Sequence, residues 1–153
     1  MDDFYSQVKV AYPVWLTTEA RDAWTRNTRD GATVSDAHRL LAKVIGKLGV
    51  KHEVERVTDD GYFSMDIYLP EHHVCVEYDG RYHYYKIDDK HSSSPSRDAS
   101  MTRTAKTELR DLFLAKQCAK VVTVPWFEWA RLDSPEKRRG YVKKKLADAG
   151  VVV

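Results

Sequence analysis

At 153 residues, 42% hydrophobic and 31% charged, the chain has the size and balance of one soluble globular domain with a single core. No apolar run approaches the roughly 18 residues needed to span a bilayer, which argues against a membrane role. The net charge of +2 hides an uneven spread: residues 1–96 hold 12 Lys and Arg against 16 Asp and Glu, whereas residues 97–145 hold 13 against 6. A basic half of this kind suits a phosphate backbone or, equally, a solvated helix face.

Residues 1–30 show helical spacing broken at Pro13, with Thr17 or Thr18 placed to cap a helix through Trp24. This predicts an N-terminal helical appendage over residues 1–32, followed by one domain over residues 33–153. The start MDDFYS has neither the charged and apolar regions of a secretory signal nor the amphipathic character of an organellar transit peptide. Ser35 caps a predicted helix whose apolar positions Ala37, Leu40, Leu41, Val44, Ile45 and Leu48 keep to one face until Gly49 stops it. A first strand is expected within Val50 to Val57, with a turn at Asp59-Asp60-Gly61.

Two further strands follow in YFSMDIYLPEHHVCVEYDGRYH, residues 62–83. Phe63, Met65, Ile67 and Leu69 alternate with Tyr62, Ser64, Asp66 and Tyr68, then Val74, Val76 and Tyr78 alternate with Cys75, Glu77 and Asp79. If Leu69 pairs with Val74 across the turn, Asp66 falls opposite Glu77. Two like charges there destabilise a sheet. A divalent cation, a bound proton or a neighbouring lysine or arginine must offset the repulsion. In the purely structural alternative, Asp66 is satisfied by backbone donors or an arginine, Asp79-Gly80 forms a turn and His83 packs against Tyr84 or Tyr85.

Residues 86–103 are rich in serine and nearly devoid of large apolar residues, which predicts a mobile loop. Near Thr104 a helix is expected to open with Leu109, Leu112 and Phe113 inward. Val121 to Val124 is a short apolar strand ended by Pro125, and a last helix starts at Ser134-Pro135 with Tyr141, Val142, Leu146 and Ala149 inward until Gly150. Trp126 and Trp129 are expected to wedge that helix against the sheet. Cys75 and Cys118 read as reduced core residues, and His52, His72 and His91 lack partners at ligand spacing. The order is αβββαβα.

That order, with an acid in the second strand and an acid pair in the third, resembles the PD-(D/E)XK nuclease superfamily, especially the branch related to very short patch repair endonucleases. More closely, the chain resembles a RAP domain, an RNA-associated module of organellar proteins. The resemblance runs from about Ser35 to Leu146. Its carriers are Ser35 and His38, MDIYLP at 65–70, VEYDGRYH at 76–83, Lys106 with Leu109, VVTVPWFEW at 121–129 and YVKKKL at 141–146. It departs from the family at Arg81-Tyr82, where a proline usually follows the Asp-Gly, and in the serine-rich stretch. The fold class implied is α/β, in the α+β sense: a restriction-endonuclease-like αβββαβα core with a mixed central sheet flanked by helices.

The resemblance implies a non-catalytic module binding ribosomal or messenger RNA in mitochondrial RNA metabolism or ribosome assembly, alongside ribosomal or other RNA-binding proteins. Phosphate and base contacts are expected from Arg81, Tyr82, Tyr84, Arg103, Lys106, Arg138, Arg139, Lys143 and Lys144, since unpaired bases stack on aromatic faces beside cations. One alternative is a metal-dependent endonuclease. There Asp66, Glu77 and Asp79 hold Mg²⁺ or Mn²⁺, and Lys106 and His83 assist as cation and proton donor. The superfamily pattern asks for lysine where this chain has Asp79. A second alternative is a structural subunit of a mitochondrial ribonucleoprotein.

Overall fold

The computed structural model describes residues 18–20, 22–23, 35–85 and 102–153. Residues 18–20 and 22–23 are helical, whereas the remainder of the expected appendage, most of the serine-rich stretch and His91 lie outside the described residues. The chain from Asp36 runs α1 (Asp36–Lys47), β1 (Glu53–Val57), β2 (Ser64–Leu69), β3 (Val74–Asp79), α2 (Ala105–Leu114), β4 (Lys120–Pro125) and α3 (Pro135–Asp148). A one-turn helix, Trp126–Trp129, joins β4 to the α3 segment. The αβββαβα order is as expected, and the fold is mixed α/β.

Each helix begins where its sequence supplies a cap. Ser35, Thr104 and Ser134 each accept from the backbone N–H three residues on, at His38, Thr107 and Lys137. Pro135 occupies the first turn of α3, where a missing N–H has no consequence. The α1 helix ends at Gly49, which takes φ +79, a conformation that costs an L side chain energy.

The sheet has the order β1-β2-β3-β4, with the first three strands antiparallel and β3 parallel to β4. The antiparallel links need only turns, whereas the parallel link requires the crossover that contains α2. Leu69 pairs with Val74, and Ile67 with Val76. The paired register ends there, and beyond it Asp66 and Glu77 meet through carboxylate contacts to the backbone rather than as a ladder pair.

The main core lies between the sheet and the α1 and α3 helices, from Leu41, Ile45, Ile67, Leu69, Val74, Val76, Val122, Val124, Val142 and Leu146. A smaller cluster on the α2 side holds Met65, Tyr68, Cys75, Leu114 and Cys118. Both cysteines are buried and free, although Cys118 sits in the turn after α2 rather than within a helix. The expected apolar face of β2 is therefore split, because Met65 packs opposite to Ile67 and Leu69. At that level carboxylates replace ladder partners: the Asp66 N–H donates to Glu77 Oε1 at 3.1 Å, and the Tyr78 N–H to Asp66 Oδ2 at 2.8 Å. Alternation breaks where the side chains enter the ladder.

A second correction concerns α2. Leu109, Leu112 and Phe113 point outward, Leu112 being 64% exposed, and Thr107 and Leu114 are the buried residues. Positions 107, 110, 111 and 114 share one face at helical spacing. That face lies over buried acids of β3, so it carries Arg110 and Thr107 where an ordinary core would carry leucine.

Candidate functional site

The β3 strand has neighbours on both sides and is buried along nearly its whole length, yet two of its buried residues are acids. Glu77 and Asp79 are each 1% exposed. A buried carboxylate is costly unless it is paired or protonated. Their partners come from the crossover, which swings α2 and the residues before it over this face.

At the level of Glu77, Oε1 accepts from the Asp66 N–H and from Cys75 Sγ at 2.9 Å. Arg110 Nη2 closes on Glu77 Oε2 as an ion pair without lying along an N–H direction, so that oxygen has no aligned hydrogen bond. The same nitrogen donates to the Ser64 carbonyl at 2.9 Å and stands 3.9 Å from Asp66 Oδ1. Burial, and next the neighbouring Asp66 charge, push the Glu77 carboxyl up to about 8 against the pull of Arg110. Of the three expected ways to relieve the repulsion, the arginine is present, and burial raises the Glu77 carboxyl in the direction of the second, a bound proton.

At the level of Asp79, Oδ2 meets Arg103 Nη2 at 2.8 Å and Oδ1 meets His83 Nδ1 at 3.4 Å. Arg103 also holds Asp111 at 2.7 Å. Burial raises the Asp79 carboxyl against the opposing pull of Arg103 and His83, and burial lowers the His83 imidazole. The segment after Gly80 is fastened at its base, since the Tyr85 N–H donates to the Thr102 carbonyl and the Thr104 N–H to the His83 carbonyl, both at 2.9 Å. The end of the serine-rich stretch at Arg103 is thus fixed by its ion pairs.

The acid set Asp66, Glu77 and Asp79 consequently does not open as one cation cage. An arginine stands at Glu77 and another at Asp79, where a metal ion would be. Lys106 is exposed on α2, and Arg110, one turn further on, is the residue that reaches Glu77. The sequence reading missed Arg110. Its position one turn after Lys106 was the available signal.

The expected RNA-contacting residues separate into two groups. Tyr84 is 5% exposed, packs edge-on to Phe127 at 5.5 Å and has its hydroxyl pushed up to about 12 by burial and by Asp79. Its face is not available to a base. Arg103 is committed to Asp79 and Asp111. Tyr82, by contrast, is 86% exposed, and its neighbour Arg81 lies over the Trp126 ring at 4.4 Å. Trp126 is only half-buried, while Trp129 is buried against Tyr141, 6.3 Å between rings. Arg138 approaches Trp129 at 5.9 Å. The turn at 126–129 therefore joins the Arg81–His83 loop to α3 at the C-terminal ends of β3 and β4, where Asp79 pairs with Pro125. Arg139 and Lys143, four residues apart on α3, are exposed, and Lys144 is exposed beside Asp148 at 2.7 Å.

This is a mixed α/β module with its strand acids neutralised internally and a rim of cations and aromatics at one end of its sheet. The family model for the RAP domain matches residues 76–145, from the middle of β3 through most of α3. RAP domains are generally RNA-binding modules. Asp66, α1 and β1 lie outside the matched residues. No curated protein and no solved structure matches the chain.

Proposed function

We propose that this chain is a non-catalytic RNA-binding module that acts in mitochondrial RNA processing, stabilisation or ribosome assembly. The observation that carries the reading is the exposed Tyr82 beside Arg81, which lies over the half-buried Trp126, at the C-terminal ends of β3 and β4 and within the matched residues. An exposed tyrosine and a half-exposed tryptophan offer π faces to unpaired bases, and arginines beside them meet phosphates. Single-stranded RNA is the partner class that uses both. The organellar setting rests on the resemblance to RAP proteins of organelles.

The non-catalytic part rests on the acids. A two-carboxylate metal nuclease keeps its ligands open to metal and phosphate, whereas here Glu77 and Asp79 are sealed beneath Arg110 and Arg103. These arginines do for the folded state what a cation does in a nuclease.

Binding of single-stranded RNA of mixed sequence, followed by fluorescence anisotropy, tests the reading. Affinity is expected to fall with salt at a slope of roughly −0.7 per phosphate neutralised. Replacing Arg81, Arg139 and Lys143 together by alanine should weaken binding and flatten that slope. Affinity that ignores both salt and these substitutions would remove RNA binding from this face and leave a protein-docking subunit of a ribonucleoprotein.

A further inference from the structure

We propose that His38, Glu55 and Asp66 form a binding site for one divalent transition-metal ion of the Zn²⁺ or Mn²⁺ class, where α1 meets the β1–β2 edge. Among the described residues these three bring one ligand atom each to within 4.8 Å of one another. They come from three elements, α1, β1 and β2. The site shares Asp66 with the acid cluster and nothing else.

The imidazole of His38 carries the argument. The residue is 4% exposed, and its Nε2 lies 2.9 Å from the Asp66 carbonyl oxygen. A carbonyl only accepts, so Nε2 holds the ring proton, and in the neutral ring the lone pair is on Nδ1. Nδ1 stands 3.4 Å from Glu55 Oε1. A neutral ring would set two acceptors face to face there, a conflict that either a second ring proton or a cation between them resolves. Donation of the second ring N–H to a backbone carbonyl is also how metal-ligating histidines are oriented and fixed in tautomer.

The backbone supports the same assignment. Glu55 takes φ +54 inside β1, an uncommon and strained conformation for a residue with a side chain. Ser64 Oγ donates to Glu55 Oε2 at 3.1 Å, which leaves Oε1 as the oxygen toward His38. The Asp66 carboxylate is not closed off by Arg110, which is 3.9 Å from Oδ1 and is engaged by Glu77 and the Ser64 carbonyl. One imidazole with two carboxylates suits Zn²⁺ or Mn²⁺ and suits the harder Mg²⁺ and Ca²⁺ poorly. Three protein ligands leave a coordination position for water.

The experiment is calorimetric titration of the metal-free chain with Zn²⁺ and, separately, Mn²⁺, beside the Glu55→Gln and Asp66→Asn variants, with ¹⁵N NMR of the histidine rings. Glu55 is partly exposed, so its amide variant retains the fold, and Asp66→Asn keeps the shape of its side chain. One ion per chain is expected, with affinity reduced at least about tenfold in each variant and the His38 Nδ1 resonance shifted on adding Zn²⁺. The proposal is overturned if Glu55→Gln binds Zn²⁺ as tightly as the natural chain. It is equally overturned if no ion binds and Zn²⁺ leaves the His38 ring resonances unchanged. RNA affinity plays no part in this test, so its outcome is separable from that of the RNA-binding reading.

Discussion

The two faces of the sheet solve the same burial problem by different chemistry. The face toward α1 and α3 is mainly apolar, with Leu41, Ile45, Ile67, Leu69, Val76, Val124 and Leu146 sealing it. The face toward α2 has a small cluster around Cys75 and Leu114, and beside it two buried acids matched by two arginines. Non-directional burial tolerates exchange of one aliphatic for another. A buried ion pair does not, since loss of one partner leaves a charge without compensation. The α2 face is therefore where single substitutions should be most specific in their effects.

The largest effect is expected from Arg110→Ala. It should cost about 3–5 kcal/mol in denaturant melts above pH 8, where Glu77 is ionised, and less at lower pH, where Glu77 takes a proton. A loss below about 1 kcal/mol at high pH would show that the pair is not what permits burial. On the aliphatic face, Ile67→Ala should cost about 2–5 kcal/mol and Val122→Ala about 1–4 kcal/mol, without dependence on pH. A strong pH dependence there would dissolve the distinction between the faces.

The Glu77 carboxyl offers a finer test. Its folded-state pKa of about 8 lies above the roughly 4.3 of an unfolded glutamate, so the folded chain binds the extra proton between these limits. Its contribution to stability is full below the lower limit and is lost as pH rises through the upper one. Glu77→Gln should therefore flatten the decline in stability between pH 5 and pH 8 measured by chemical denaturation. A decline as steep as in the natural chain would assign it to another group. The smallest effect is expected at Leu112→Ala, within about 0.5 kcal/mol, because Leu112 is on the solvent side of α2.

Leu112 also shows what the sequence could and could not disclose. The helix containing it was legible from Thr104 and its apolar residues, and the other helices from Ser35, Ser134, Pro135 and their periodic leucines and valines. These are local signals that caps and periodicity carry. The register of Leu69 with Val74 was legible too, since a short turn between alternating strands fixes it. Which face of α2 turns inward was not, because it depends on Arg110 meeting Glu77, two residues far apart in sequence. Apolar periodicity pointed to Leu109, Leu112 and Phe113, but neutralising the acids took precedence. For the same reason Tyr84, expected as an RNA contact, is packed inside and Arg103 is committed to Asp79 and Asp111, whereas Arg81 and Tyr82 are exposed. Glu55 and its positive φ gave no sequence signal at all.

We propose that the acids of β2 and β3, with their arginines, hold together a fold that binds RNA without cutting it. The most direct measurement incubates the chain with end-labelled single-stranded RNA and Mg²⁺ or Mn²⁺, then reads binding and strand integrity from the same samples. The account predicts salt-sensitive binding, intact RNA, and nearly unchanged affinity in Asp66→Asn and Glu77→Gln. Metal-dependent cleavage by the natural chain that both substitutions abolish would contradict it.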